Sequence, residues 1–214
     1  MQPPWMSVVV PAYNEEKAIG VTVAALRDWL DATGRPYEVL VVDNGSTDAT
    51  VETVRPLLDG ERIRLVVNDG NRGKGYSVRR GMLETTGRLR LLCDADCAPS
   101  LASLGAMVHA SREAHVVCGS RVAGGADVGR GQPLRRRIVG WPFIALTRLL
   151  MLERTRDVYC GFKLFHGETA DAVFPLQTLE GWTFDAEVLA LARRQGFRVT
   201  ELGIVWADRD GSRL

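Results

Sequence analysis

The stretch YEVLVVDNGSTD, residues 37–48, decides the fold class of this chain. Its first six residues are mostly apolar and β-branched, which is typical of a strand buried on both faces. Asp43 ends this strand. The polar turn after it, rich in Asn, Gly and Ser, has the composition of a turn that becomes the N-terminal cap of a helix.

Strands of the same kind lie on both sides of this stretch. Residues 7–11 (SVVVP), 63–67 (IRLVV), 88–93 (RLRLLC) and 115–120 (HVVCGS) read as strands, and residues 197–206 read as a closing strand. Apolar residues recur at helical spacing between the first two strands, a short predicted helix runs to about Leu58, and residues 76–85 and 179–194 are further predicted helices. This alternation predicts an α/β domain with a central, mostly parallel sheet flanked by helices.

Polar residues collect at the carboxyl ends of four successive strands. They occupy residues 12–16, 43–48, 68–75 and 94–96. Ligands of such sheets bind beyond the carboxyl ends of the strands. We therefore expect these four loops to form one site of nucleotide size.

Asp94 and Asp96 are the strongest metal-ligand candidates. Two carboxylates one residue apart in extended chain point to the same side, and their repulsion is relieved by a cation. Oxygen ligands select Mg²⁺ or Mn²⁺, and Mg²⁺ often combines one or two carboxylates with substrate phosphates. The alternative is a solvated start of a loop.

Two other loops carry ligand candidates. In GNRGKG, residues 70–75, glycines allow close approach of the backbone, and Lys74 adds a positive charge. The loop has neither the Walker pattern nor the dinucleotide fingerprint, so a plain glycine turn is the alternative. Asp43 is placed to accept from a nucleobase or a ribose hydroxyl, although its neighbours also suit a helix cap.

The second half of the chain contains an arginine-rich loop and an amphipathic stretch. Arg121 is followed by Arg130 and by the run 135–137, and such side chains suit bidentate capture of phosphate. Residues 138–152 are too short to span a bilayer but suit its interface. A solvated loop followed by an ordinary core helix is the alternative.

Composition excludes several function classes. The 214 residues include 27 Lys and Arg against 26 Asp and Glu, which argues against a polybasic nucleic-acid arm. There is no apolar run long enough to span a membrane and no charged, then apolar, leader pattern, so we expect a cytoplasmic protein. The four cysteines form no CxxC pair, which favours reduced thiols over a zinc site.

Taken together, the motifs resemble the family 2 nucleotide-sugar glycosyltransferases, which have the GT-A fold. The matching segments are VVVPAYNEE (8–16), VVDNGSTDAT (41–50), NRGKGYSVRRGM (71–82), DAD (94–96) and GSR (119–121). CGFKLF (160–165), GWTFDAEVL (181–189) and ELGIVWADRDGSRL (201–214) are similar to the dolichyl-phosphate glucosyltransferase and mannosyltransferase group. The resemblance covers nearly the whole chain, so we expect one catalytic domain over residues 1–214.

The resemblance implies a nucleotide-binding half (1–96) and an acceptor-binding half (97–214). It implies inverting transfer of a hexose from UDP-glucose or GDP-mannose to a polyprenyl phosphate, with Mg²⁺ or Mn²⁺, by an enzyme that binds peripherally at the inner face of the membrane. The implied nucleotide contacts are Pro11, Tyr13, Glu15, Asp43, Lys74 and Asp94, and the implied metal ligands are Asp94 and Asp96. The implied catalytic residues are Asp94, Asp96, Arg121 and Asp185, and the implied acceptor contacts are Arg121, Arg135, Arg136 and Glu187.

Asn44 departs from this pattern, because the family often has a second Asp there, and the chain ends just after GSRL (211–214), where relatives often continue. Two rival functions remain at this stage: a family 2 enzyme with a soluble or glycan acceptor, and a catalytically silent nucleotide-binding protein. A hydroxyl acceptor would need a carboxylate base, with Asp185 or Glu187 as candidates, whereas a phosphate acceptor is already ionised.

Overall fold

A computed structural model describes residues 3–124, 126–128 and 155–206. The strands of the described part are β1 (Met6–Ala12), β2 (Tyr37–Asp43), β3 (Ile63–Val67), β4 (Leu89–Cys93), β5 (Val116–Ser120), β6 (Asp127–Val128), β7 (Phe162–His166), β8 (Val199–Gly203) and β9 (Val205–Trp206). Seven of them form the central sheet, in the order β3-β2-β1-β4-β7-β5-β8, and β6 pairs with β9 in a separate two-stranded sheet.

Six α-helices of the described part cover the two faces of the sheet. They are α1 (Ile19–Ala32), α2 (Thr50–Val54), α3 (Lys74–Leu83), α4 (Leu104–Ala110), α5 (Gly167–Val173) and α6 (Phe184–Arg194). Alternate residues of each central strand face opposite cores. Val8 packs in the cluster that contains Leu26 of α1, and Val9 packs in the cluster of Val78 (α3) and Phe184 (α6). The mostly parallel α/β sheet expected from the sequence is confirmed.

One strand of the main sheet, β7, runs against its neighbours. It is antiparallel to both β4 and β5, whereas the other pairings within this sheet are parallel. Cys93 at the end of β4 is therefore opposite Phe162 at the start of β7. As a result, the amino end of β7 lies at the edge where the parallel strands end in their polar loops.

β7 was not among the predicted strands, and two sequence predictions need correction. The helix predicted from residue 179 begins at Phe184, because residues 177–183 pack against α3 instead. The closing strand is divided by the buried Ile204 into β8 and β9. The predicted amphipathic stretch 138–152 lies outside the described residues.

The four cysteines, Cys93, Cys97, Cys118 and Cys160, are all free and fully buried. Burial raises the pKa of Cys118 and of Cys160 to about 12, so these thiols stay protonated at neutral pH. Within the described residues, no helix is both long enough and apolar enough to cross a bilayer.

Candidate active site

The loops after β1 and β2 are bound to each other. Asn14, at a positive φ of 57°, accepts a hydrogen bond from the Thr47 amide at 2.8 Å, and its own amide donates to Ser46 Oγ at 2.9 Å. The Glu15 amide donates to Thr50 Oγ1 at 2.8 Å. These bonds make one rigid edge from two loops that are more than thirty residues apart in sequence.

Asp43 lies at this edge with one carboxylate oxygen unused. Its side chain is 1% exposed, and Oδ2 accepts from the amides of Gly45 and Ser46 at 3.1 and 3.0 Å. Oδ1 is buried and has no partner among the described residues. A buried acceptor of this kind is costly unless a ligand donates to it, which fits the expected contact to a base or ribose. Pro11 is buried in β1 opposite Val42, the residue before Asp43, whereas the side chain of Tyr13 is 43% exposed.

Asn44 holds the glycine loop in place. Its amide donates to Asn71 Oδ1 at 2.8 Å, and its oxygen accepts from Asn68 Nδ2 and from the Arg72 amide, both at 3.0 Å. The asparagine therefore uses both ends of its amide within the protein. This residue departs from the family pattern, and in this structure it supports the loop that precedes Lys74.

Lys74 is the first residue of α3 and forms an ion pair with Asp94. Its Nζ lies 2.7 Å from the carboxylate, and both side chains are largely buried. Burial alone would lower the pKa of Lys74, but the carboxylates of Asp94 and Asp185 outweigh it and raise that pKa. Lys74 thus stays charged at the centre of the site.

Asp94 directly follows β4, and its position is fixed by contacts with Gly161. The Asp94 amide donates to the Gly161 carbonyl at 2.8 Å. A Cβ atom added to Gly161 would overlap the Asp94 carboxylate. Only glycine therefore permits this position of the carboxylate.

Three carboxylates share this part of the site. Burial, followed by the charges of Asp96 and Asp94, raises the pKa of Glu15 to about 7. Burial and the charge of Asp94 also raise the pKa of Asp96. The positive charge of Lys74 therefore does not balance the negative charges of the three carboxylates.

The donor set fits a divalent cation that is completed by a substrate. In the described part of the chain, no group of three or more His, Cys, Asp or Glu side chains is arranged to hold a metal. Two carboxylates, Asp94 and Asp96, with diphosphate oxygens are a usual coordination set for Mg²⁺ and Mn²⁺. The raised pKa values beside them indicate where a cation would relieve repulsion.

Arg121 lies at the end of β5 and pairs with Asp157 in a bidentate ion pair. Nε and Nη2 lie 2.8 and 2.7 Å from the two carboxylate oxygens, and the Arg121 amide adds a bond at 2.9 Å. Trp206 packs its ring 5.3 Å from the guanidinium. Glu201 accepts from the Asp157 amide at 2.7 Å, which fixes the acidic partner in turn.

Asp185 is buried in a second ion pair. Its Oδ1 lies 2.5 Å from Lys163 Nζ, and the two side chains are 3% and 1% exposed. Lys163 also donates to the Cys160 carbonyl. Burial raises the pKa of Asp185, whereas Lys163 and Lys74 oppose that shift. Charges alternate from Asp94 through Lys74 and Asp185 to Lys163.

Glu187 is engaged by the backbone before α6. Its carboxylate accepts from the amides of Thr178 and Leu179 and from Thr178 Oγ1. Its expected contact with an acceptor stays a prediction. Arg135 and Arg136, like Arg130 and Arg137, lie outside the described residues.

Segment 157–163 contacts three predicted site residues, although no site residue was predicted within it and only the similarity of CGFKLF (160–165) was noted. Asp157 pairs with Arg121, Gly161 packs on Asp94, and Lys163 pairs with Asp185. The available signal was a lysine within the apolar run CGFKLF, since a buried lysine requires a buried acidic partner. The reversed direction of β7 brings this segment to the site.

Comparison with known proteins gives a family match and several named relatives. Residues 7–174 match Glycosyl transferase family 2. The dolichyl-phosphate beta-glucosyltransferase of Dictyostelium discoideum is 32% identical over 98% of this chain and 68% of its own length. The Drosophila melanogaster and Homo sapiens proteins of the same name are 35% and 30% identical, over 98% of this chain and 69% of theirs.

Solved structures share the fold at lower sequence identity. Glucosyl-3-phosphoglycerate synthase from Mycobacterium tuberculosis, in complex with Mn²⁺, UDP-glucose and phosphoglyceric acid, superposes with a TM-score of 0.73. It is 20% identical, and the match covers 98% of this chain and 73% of that one. The family match, the relatives and the fold confirm the resemblance seen in the sequence: this chain is a glycosyltransferase that belongs to Glycosyl transferase family 2.

Proposed function

We propose that this enzyme transfers glucose from UDP-glucose to a polyprenyl phosphate of the dolichyl type, with inversion at the sugar carbon. The observation that carries the proposal is the match to dolichyl-phosphate beta-glucosyltransferases at 30–35% identity over 98% of the chain. The names of these relatives favour glucose over the mannose that the sequence left open. A lipid acceptor also supports peripheral binding at a membrane surface.

Asp43 and Asp94 support the donor side of the proposal. The unpartnered Oδ1 of Asp43 is suited to accept from the uracil or ribose of UDP, beside Pro11 and Tyr13. Asp94 and Asp96 would hold Mg²⁺ or Mn²⁺, which when bound supplies positive charge to the diphosphate leaving group.

Lys74 adds a fixed positive charge at the same place, 2.7 Å from Asp94. Such preorganised charges stabilise a transition state because they need no reorganisation during the reaction. We assign Lys74 to the leaving diphosphate, and Glu15 to the nucleotide side of the same cluster.

A buried, paired Asp185 supports a phosphate acceptor over a hydroxyl acceptor. A general base must reach the proton that it removes, but the Asp185 side chain is 3% exposed and is paired with Lys163. A phosphate monoester has a second pKa of about 6 and is already nucleophilic at neutral pH. Arg121, with Arg135 and Arg136, is assigned to the acceptor phosphate, and Glu187 to the acceptor side.

The test is a donor screen with a polyprenyl phosphate and either Mg²⁺ or Mn²⁺. We expect UDP release with a glucosyl-phosphoprenol product by mass, and much less product with GDP-mannose. Asp94→Ala should abolish nearly all turnover, whereas Asp185→Asn should retain part of it. Equal and complete loss in two folded variants would contradict the phosphate-acceptor assignment.

Two other results would redirect the proposal. UDP release that does not depend on the lipid, with product on a soluble acceptor, would move the enzyme to another acceptor class. Nucleotide binding without turnover of any donor would indicate a silent nucleotide-binding protein.

A further inference from the structure

Three large apolar side chains are exposed within seven residues beside the site. Leu176, Leu179 and Trp182 are 53%, 43% and 58% exposed. They lie in the connection between α5 and α6. A group of exposed apolar side chains next to a binding site is the usual mark of an apolar ligand or partner.

The backbone that carries these side chains is firmly attached to α3. Gln177 Nε2 donates to the carbonyls of Gly75 and Leu179, both at 2.9 Å. The Tyr76 amide donates to the Glu180 carbonyl at 3.2 Å. The exposure of the three side chains is therefore a fixed property of the surface.

The contacts with α3 put the three side chains in spatial order. Arg79 donates to the Phe174 carbonyl, just before Leu176. A Cβ atom on Gly75 would lie 2.5 Å from the Leu179 carbonyl. Lys74 Nζ lies 4.9 Å from the centre of the Trp182 ring. The three side chains, which we call the apolar strip, thus follow α3 from Arg79 back to Lys74, about 7.5 Å along its axis.

The apolar strip begins where the charged site ends. Lys74 contacts the Trp182 ring on one side and the Asp94 carboxylate on the other. An amphiphile with phosphate at the charged site could extend an apolar chain directly onto the strip. Arg72 pairs with Glu180 at 3.8 Å next to it, so the charges beside the strip offset one another.

We infer that the apolar strip binds the first part of the acceptor's isoprenoid chain. This inference rests on the proposed function and adds to it the side chains that recognise the lipid. Burial of two leucine side chains against hydrocarbon is strong enough to change acceptor affinity by about tenfold or more.

The test compares two acceptors, farnesyl phosphate and isopentenyl phosphate, in the Leu176→Ser/Leu179→Ser variant. Trp182 is left intact because of its contact with Lys74. The matched control is Val21→Ser/Leu83→Ser, which removes two apolar side chains of similar exposure, 51% and 46%, elsewhere on the surface. We expect the strip variant to lose about tenfold of its preference in kcat/KM for the longer acceptor, with KM for UDP-glucose within about twofold of wild type.

An unchanged chain-length preference in a folded strip variant would overturn the inference. So would an equal loss in the control variant. A strip variant that keeps its preference but no longer sediments with phosphatidylglycerol vesicles would assign the strip to the bilayer surface instead. If wild type hydrolyses UDP-glucose but glucosylates neither prenyl phosphate, the proposed function itself fails, and this result is distinct because it needs no variant.

Discussion

Gly161→Ala tests whether the position of the Asp94 carboxylate controls activity. The added methyl would overlap the carboxylate, which must move on the order of 1 Å before the Cβ contact reaches the 3.0 Å that real structures keep. A displacement of about 1 Å at a reacting centre costs about 100-fold in rate. We therefore expect kcat/KM for UDP-glucose to fall by about 100-fold, or about 2.7 kcal/mol.

The assay measures UDP release with a prenyl phosphate acceptor and, separately, UDP binding in Mn²⁺ by calorimetry. Gly105→Ala is the matched control, since its Cβ would meet no atom within 4 Å and it lies in α4. This control should keep full activity and gain slightly in stability, because Ala favours a helix over Gly. A folded Gly161→Ala protein that keeps kcat/KM within threefold of wild type and binds UDP normally would refute the reasoning.

Three further predictions follow from the contacts in the site. Lys163→Met should lower the free energy of unfolding, measured in urea, by about 3–5 kcal/mol, because it leaves the buried Asp185 carboxylate unpaired. Adding Asp185→Leu should restore most of the lost stability. Equal stability of Lys163→Met and wild type would contradict this prediction. The pKa of Glu15 is raised to about 7 in the folded protein, so its contribution to stability is complete below pH 4.5 and is lost as the pH rises through about 7. We therefore expect the Tm of wild type to fall from pH 5 to pH 8, and that of Glu15→Gln to fall less. The same dependence of Tm on pH in both proteins would disprove the raised pKa of Glu15. Asn44→Asp should lower the free energy of unfolding, measured in urea, by about 1–3 kcal/mol, because it replaces the Nδ2 donor to Asn71 Oδ1 with an oxygen. An unchanged urea midpoint would show that the glycine loop does not depend on this hydrogen bond.

The parallel part of the sheet was predictable because its strands are continuous apolar runs. β7 was missed for a physical reason: the second residue of its sequence FKLFH is a lysine, and the acidic partner that allows Lys163 to be buried comes from α6, twenty-two residues later. The start of α6 was placed too early for a similar reason. The Glu187 carboxylate binds the amides of Thr178 and Leu179, so these residues pack outside the helix.

The meeting of these loops was predictable because they end adjacent strands, and Asp43, Lys74, Asp94 and Asp96 lie at the expected edge of the sheet. The ion-pair partners of the site residues were not predictable, because pairing depends on contacts between distant segments of the chain. Arg121 is an example: its charge was clear from the sequence, but its bidentate bond to Asp157 across 36 residues was not.

The buried cysteines give this protein internal reporters of local opening. Cys93 immediately precedes Asp94 and Cys160 immediately precedes Gly161, while Cys118 lies within β5, opposite Lys163 of β7. Since all of these thiols are fully buried, an alkylating reagent reaches each of them only when its surroundings open. The rates of alkylation at Cys93 and Cys160, compared with that at Cys118, therefore report how often the surroundings of Asp94 and Gly161 open independently of β5.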